Sequence, residues 1–399
     1  MSNLRLILGI MLTVCSAVCL ASDLEIRVRL LPEHSGAIVP VTVKLDAARM
    51  EATDPGLYCL KDTSSPRCLP FQYDKAVGAM EFAVDVSEIT KPTTKTFRLV
   101  EGPPIYGDGL WIDSEDGGSL VARQGEQQIL VYNYQSMLPQ GVPERYRRSC
   151  YISPIFGPHG EVLTDDFPAD HYHHRGLAVM WTHVTVGGKD YDLWALNGMK
   201  PKFRKVLEMV DGPVYTLLKV NDGWYTDGTK VVDETWTVKA YTQGEYGRIV
   251  DFDIVLKAVG APVTVKSSDR GYGGFNVRFA PREDTVLFSE KGRVAADTDK
   301  ESFLWNDLSA KFKGADAVSG LAIFDNPGNI RHPQPWTNRY YGFLNPAPAA
   351  IEPLTFTKDK PLHLRYRLWI HEGDAQSGRV AQAYQAYVHP PVVEVNSKQ

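Results

Sequence analysis

Three of the ten histidines in the chain lie within four consecutive positions, at His171, His173 and His174. Asp170 precedes them and Arg175 follows them. Imidazoles exchange protons near neutral pH, a neighbouring carboxylate fixes the tautomer of an imidazole, and a guanidinium binds anionic groups. This short run of side chains therefore predicts a site for general acid–base chemistry.

The same histidines allow two other interpretations. In an extended segment His171 and His173 share a face, and a His-x-His pair on a strand is a common metal-binding element. A metal ion there would need further ligands, for which His332, His183 and Glu234 are candidates. The histidines could also serve only to cap backbone groups of a loop. We expect no cofactor, with a metal at His171 and His173 as the alternative.

A second group of functional side chains follows a predicted strand at 320–324. The segment 326–342 reads N-P-G-N-I-R-H-P-Q-P-W-T-N-R-Y-Y-G, and its three prolines stiffen a loop. A tryptophan offers a flat face to a sugar ring, an arginine pairs with a carboxylate, and a tyrosine can exchange a proton. We expect this segment and the histidines to meet over one hollow, although a purely structural loop remains the alternative.

Arg278 ends a third, glycine-rich stretch that begins at Ser268. It lies on a predicted strand and is either a buried ion-pair partner or a substrate clamp. The predicted catalytic residues are Asp170, His171, His173, His174, His332 and Tyr340. The predicted substrate-binding residues are Arg175, Trp181, Arg278, Arg331, Trp336 and Arg339.

The elements that must position these residues are strands. The apolar run 177–181 predicts a buried strand directly after the histidines, and 249–259 alternates as a half-buried strand does. Similar patterns recur through most of the chain, and only Asp374 to Val388 predicts a helix. The fold class is therefore all-β, with a large antiparallel super-β-sandwich over residues 106–395.

A smaller domain is expected before it. Residues 22–105 show short alternating strands with Gly and Pro turns, which predict an immunoglobulin-like β-sandwich. Gly102-Pro103-Pro104 marks the linker. Within this domain Cys59 and Cys68 flank a turn and would form a disulfide in an oxidising compartment, which leaves Cys150 unpaired.

The N-terminal residues 1–21 predict a secretory signal peptide, because Arg5 precedes a short apolar run that ends at small residues. We therefore expect a periplasmic or secreted protein. No later stretch is long and apolar enough to span a bilayer. The net charge of −5 and the lack of a basic stripe argue against a nucleic-acid partner.

Two motifs carry a resemblance to a known family. The runs D-H-Y-H-H-R-G at 170–176 and N-P-G-N-I-R-H-P-Q-P-W at 326–336 resemble the methane-oxygenase-PmoA-like family of secreted bacterial proteins. The resemblance covers nearly all of the chain after the signal segment. It implies a relative of the galactose-mutarotase super-sandwich, which includes polysaccharide lyases and sugar epimerases. A methane monooxygenase is excluded, because that subunit is a helical membrane protein and this chain has no such spans.

These observations together predict a secreted carbohydrate-active enzyme. It would be a glycoside hydrolase or a lyase that uses histidine as general acid–base, with a carbohydrate as its partner. The alternatives are a non-catalytic glycan-binding protein and a metal-dependent enzyme with a His-x-His site.

Overall fold

A computed structural model of the chain describes residues 24–75, 77–102 and 107–397. The predicted signal segment at 1–21 lies outside the described residues, as do Pro103 and Pro104 of the predicted linker. Strands make up most of what is described, and the large sheets pair antiparallel neighbours. The all-β prediction is confirmed.

The strands are numbered in chain order. The first ten are β1 (Leu24–Leu30), β2 (Ile38–Lys44), β3 (Tyr58–Asp62), β4 (Cys68–Leu69), β5 (Gln72–Asp74), β6 (Ala79–Asp85), β7 (Thr93–Glu101), β8 (Leu110–Glu115), β9 (Ser119–Gln124) and β10 (Gln127–Asn133). The next ten are β11 (Tyr151–Ile155), β12 (Leu177–Trp181), β13 (His183–Val186), β14 (Lys189–Tyr191), β15 (Lys200–Val210), β16 (Tyr215–Thr226), β17 (Thr229–Tyr241), β18 (Gly247–Ala258), β19 (Val263–Lys266) and β20 (Gly273–Arg278). The last ten are β21 (Arg282–Ser289), β22 (Gly292–Arg293), β23 (Thr298–Ser302), β24 (Trp305–Phe312), β25 (Ser319–Asp325), β26 (Pro335–Asn338), β27 (Phe343–Leu344), β28 (Leu354–Phe356), β29 (Leu362–Glu372) and β30 (Val392–Ser397).

Within the described residues, two short α-helices accompany these strands, α1 (Ala47–Ala52) and α2 (Val380–Val388). The predicted helix over Asp374 to Val388 therefore begins later than expected. The Asp374 carboxylate accepts hydrogen bonds from the backbone N–H groups of Gln376 and Ser377, which closes a tight turn. Arg379 follows with a left-handed φ of 55°, so regular helix begins only at the next residue.

The chain forms two compact units. The first contains the described residues up to Gly109 together with 212–215 and the stretch from Gln385 onward. A five-stranded sheet (β30-β1-β7-β3-β4) and a three-stranded sheet (β2-β6-β5) enclose one apolar core in this unit. A disulfide joins Cys59 and Cys68, whose Cα atoms are 5.5 Å apart. Strand β30 pairs along β1, a pairing that the sequence patterns did not predict.

The second unit contains 110–211 and 216–384. Its two large sheets have the orders β27-β20-β12-β11-β10-β9-β8 and β15-β16-β17-β18-β29-β25-β24-β21-β22. Smaller sheets of four strands (β14-β13-β19-β28) and two strands (β23-β26) complete it.

One apolar core lies between the two large sheets. In β18 the side chains of Val250, Phe252 and Ile254 belong to it, while Asp251 and Asp253 lie on the other face of the strand. Alternate residues of a strand point to opposite faces, so the period-two sequence pattern sets which side is buried. Each large apolar side chain buried in this way contributes about 1.5–3 kcal/mol to folding.

Candidate functional site

Strand β12 is buried on both faces. Leu177, Val179 and Trp181 join the core between the large sheets. Ala178 and Met180 point to the other side, into a second cluster that we call the aromatic layer. Its members are Tyr151, Phe167, Ala178, Met180, Trp194 and Phe343. The histidine segment leads directly into this strand, so it is placed over the aromatic layer.

Arg175 stabilises the backbone conformation of the histidine segment. Its side chain is fully buried, and its guanidinium donates to the carbonyls of Tyr172, His174 and Tyr146 at 2.5–2.6 Å. The same group lies 3.5 Å from the ring centroid of Phe167. Burial lowers the pKa of Arg175 to about 10, so it stays charged at neutral pH. Arg175 therefore organises the loop and offers no surface to a substrate, and we leave it out of the proposed site.

The three histidine rings pack together in a turn. The backbone N–H of His174 donates to the carbonyl of His171, so the segment does not have the extended conformation on which the His-x-His interpretation depends. The rings of His171 and His174 stack with centroids 4.8 Å apart, and His173 meets both edge-on. His174 rests on Phe343 and Trp194 of the aromatic layer, at 5.1 and 5.7 Å.

Burial and neighbouring positive charge keep two of these rings neutral. Burial, then His171 and Arg175, lower the pKa of His173 to about 4. The pKa of His174, which is 2% exposed, is lowered much further by burial and by His173 and Arg278. At neutral pH both rings are therefore unprotonated.

Asp170 joins His171 to Arg278. Nδ1 of His171 lies 2.9 Å from Oδ2 of Asp170, and Nη2 of Arg278 donates to both carboxylate oxygens at 3.0 Å. Burial raises the pKa of Asp170, but the bonds from His171 and Arg278 outweigh it, and the net pKa is lowered. Asp170 is thus a carboxylate at neutral pH. The structure thus shows the buried Arg278 in an ion pair with the half-exposed Asp170, and this pair does not exclude a contact of Arg278 with a substrate.

Tyr341 is the residue of the second predicted segment, 326–342, that contacts the histidine rings. Its ring is parallel to that of His171, with centroids 5.6 Å apart, and it lies 4.6 Å over the guanidinium of Arg278. Arg339, two residues earlier, is buried and donates to the hydroxyl of Tyr272 at 2.7 Å and to the carboxylate of Asp299. We call Asp170, His171, His173, His174, Arg278 and Tyr341 the histidine–arginine cluster.

Several predicted site residues lie outside this cluster. His332 pairs with the buried Asp325 at 2.9 Å, and Arg331 donates to the carbonyls of Pro348 and Glu352. The Tyr340 hydroxyl donates to a backbone carbonyl. Trp181 and Trp336 have no exposed surface and offer no platform to a sugar.

The sequence patterns missed Tyr341, Tyr272 and Trp194. Tyr341 stood in the R-Y-Y-G run beside the predicted Tyr340, and spacing alone did not tell which ring faces the histidines. Trp194 lies outside both predicted segments, and its approach to His173 and His174 is a tertiary contact. No sequence signal pointed to it.

Within the described residues, no group of three or more histidine, cysteine or carboxylate side chains is placed to hold a metal ion. The histidine rings contact one another by their faces and edges. The His-x-His arrangement that would have supported a metal centre depended on an extended segment, which the turn replaces.

Two carboxylates are buried in the core between the large sheets. Tyr132 donates to Asp222 at 2.6 Å, and the indole of Trp224 donates to Glu234 at 2.8 Å. Burial and the charge of Glu234 raise the pKa of Asp222 to about 8, and burial raises that of Glu234. A protonated carboxyl is therefore stable at this depth, and Asp222 is neutral at pH 7.

The fold and the cluster together define the class: an all-β protein whose larger unit carries histidines, an arginine and a tyrosine over an aromatic layer. The chain belongs to a Family of unknown function (DUF6807), which residues 119–385 match. It matches no curated protein. No helix in the described ranges is long and apolar enough to cross a bilayer.

Proposed function

We propose that the protein is a secreted carbohydrate-active enzyme with His171 as its general acid–base. The observation that carries this proposal is the orientation of His171. Its Nδ1 lies 2.9 Å from Oδ2 of Asp170, within ion-pair distance although not in hydrogen-bond geometry, and its side chain is 39% exposed. An imidazole that is beside a carboxylate and also open to solvent can exchange a proton with a bound substrate.

Tyr341 supplies a second proton-exchanging group beside His171. Burial and a hydrogen bond with Tyr272 raise the pKa of Tyr341, so it remains a neutral phenol and can donate a proton. One group that accepts a proton and one that donates it suit elimination across a glycosidic bond. In this proposal Tyr341 takes the role that the sequence assigned to Tyr340.

Hydrolysis is the second reaction that these residues support. Burial raises the pKa of Asp165, whereas that of Asp170 is lowered, and both carboxyls interact with Arg278. A pair of carboxyls whose pKa values are pushed apart can act as acid and as base or nucleophile. A hydrolase and a lyase therefore remain the two forms of the proposal.

A secreted location and a relation to known families are further parts of the same proposal. The disulfide between Cys59 and Cys68 fits an oxidising compartment, which agrees with a periplasmic or secreted protein. We also keep the relation to the PmoA-like family and the galactose-mutarotase super-sandwich as part of the proposal. These two family relations rest on sequence motifs and on the all-β fold, and a fold alone does not determine which reaction a protein catalyses.

The test is turnover of mixed plant and bacterial polysaccharides by the purified protein. New reducing ends report cleavage of either kind, and absorbance of unsaturated sugars reports elimination. We expect His171→Ala to lower the rate by about 10²–10⁴-fold, the usual contribution of general acid–base catalysis.

His183→Ala is the matched control for that experiment. His183 also pairs with an aspartate, Asp190, at 2.8 Å, and its side chain is 49% exposed. This variant should retain full activity. Equal losses in the two variants would contradict a special role for His171. Glycan binding without any turnover would support the non-catalytic alternative.

A further inference from the structure

Arg278 has hydrogen-bonding capacity that the protein does not use. Its side chain is 7% exposed, and Nη2 alone makes both contacts to Asp170. Nε and Nη1 are buried and have no hydrogen-bond partner among the described residues. An arginine that pairs fully with a carboxylate uses two nitrogens in two parallel bonds. The guanidinium therefore retains two donors, and buried donors without partners are unfavourable.

The partly exposed side chain of Tyr341 covers this guanidinium. The ring of Tyr341 lies 4.6 Å over it, yet the residue is 37% exposed. Tyr341 sits at a turn beside Gly342, whose φ of 104° suits glycine. The guanidinium of Arg278 therefore lies directly below a residue that is open to solvent.

The surroundings of Arg278 favour a negatively charged group. After burial, positive charge from Arg278 and Arg175 contributes to the lowered pKa of both His173 and His174. Both guanidiniums therefore place positive charge near the histidine rings. Asp170 already demonstrates that a carboxylate from a half-exposed position reaches Nη2 of Arg278.

We propose that Arg278 recognises a carboxylate on the ligand, so that the substrates are acidic sugars of the uronate class. The inference rests on the proposed function, because it places the sugar against the same cluster. The ligand carboxylate accepts bonds from the unused donors of Arg278. A planar carboxylate matches the planar guanidinium edge, which selects it over a neutral hydroxyl group.

The test compares each acid with a neutral sugar of the same shape. D-Glucuronate and D-galacturonate are titrated into the full-length mature protein by calorimetry, beside their methyl esters. We expect at least one acid to bind about tenfold or more tightly than its ester, since charge-assisted bonds are the stronger kind. Equal affinity of acid and ester, or no binding of either uronate, would overturn the proposal.

Variants of two arginines assign the selectivity. Arg278→Gln should bind acid and ester alike, whereas Arg365→Gln should keep the preference of the wild type. Arg365 is a matched control because it pairs with an aspartate, Asp253, at 3.2 Å on the surface of β29. If Arg278→Gln does not fold, Asp170→Asn/Arg278→Gln removes both members of the pair and should show the same loss. A preference for the acid that persists in a folded variant lacking Arg278 would overturn the proposal.

The outcomes separate this inference from the proposed function. Cleavage of neutral glycans, with no preference for acids, would leave the enzyme proposal standing and refute the role of Arg278. Selective binding of uronates that depends on Arg278, with no turnover of any glycan, would support the recognition site and refute catalysis.

Discussion

Replacing His173 by glutamine should make the folded protein less sensitive to acid. Burial, together with His171 and Arg175, lowers the pKa of His173 from 6.5 to about 4. The unfolded chain takes up a proton at this residue near pH 6.5, but the folded chain does so only near pH 4. The stabilisation from the neutral ring is therefore complete above pH 6.5 and is lost as the pH falls to 4.

The difference between the two pKa values sets the size of the effect. At about 1.4 kcal/mol per pH unit, it corresponds to about 3 kcal/mol. Glutamine carries no titrating proton, so wild type should lose about that much more stability than His173→Gln between pH 7 and pH 4. Burial is the largest cause of the lowered pKa of the neighbouring His174 and is present in both proteins, so we expect that ring to stay neutral over this range in each.

Urea unfolding followed by tryptophan fluorescence at pH 7, 6, 5 and 4 measures this difference directly. His183→Gln is the matched control, because it removes a histidine whose side chain is 49% exposed, and it should follow wild type. If wild type and His173→Gln lose stability in parallel over the whole range, the ring is not held neutral by its surroundings. The packing assigned to the cluster would then be incorrect.

Other predictions concern the core between the large sheets and the disulfide. The pKa of Asp222 is raised to about 8 in the folded protein, so wild type loses stability as the pH rises from about 4 to 8. Asparagine does not titrate. In urea titrations the unfolding free energy of Asp222→Asn relative to wild type should therefore rise by about 1.4 kcal/mol per pH unit between pH 5 and 8. Ile254→Ala should lower the unfolding free energy by about 2–5 kcal/mol, because its side chain is fully buried between the large sheets. Removing the Cys59–Cys68 bridge with the double serine variant should cost about 2–3 kcal/mol of unfolding free energy, and a reductant should then have no further effect on the melting temperature.

Local sequence patterns predicted the strands well where the burial of a strand is regular. The apolar run at 177–181 became β12, and the alternating run at 249–259 became β18, displaced by only one or two residues. The patterns failed for β30, whose place depends on pairing with β1 at the opposite end of the chain. A strand of that kind is defined by its distant partner, and its own residues carry little signal.

The candidate site was predicted less completely than the strands. Asp170, the three histidines and Arg278 do come together, but the aromatic residues were misassigned. For Trp181 the sequence did hold a usable signal, since alternation along β12 places it on the same face as Leu177 and Val179. Arg175 binds backbone carbonyls that the turn brings close to it. The sequence pattern does not specify this turn, so the structural role of Arg175 could not be predicted.

Because β12 contributes side chains to two separate cores, we expect heat to disrupt the candidate site before the whole protein unfolds. The aromatic layer under the histidines is much smaller than the core between the large sheets, so it has far less apolar surface to hold it together. If the packing of the aromatic layer is lost, the three histidine side chains lose their fixed positions while the strands of both large sheets remain hydrogen-bonded. Ligand binding should consequently disappear at a lower temperature than the circular dichroism signal of the strands, and stabilising the sandwich interior would not restore it.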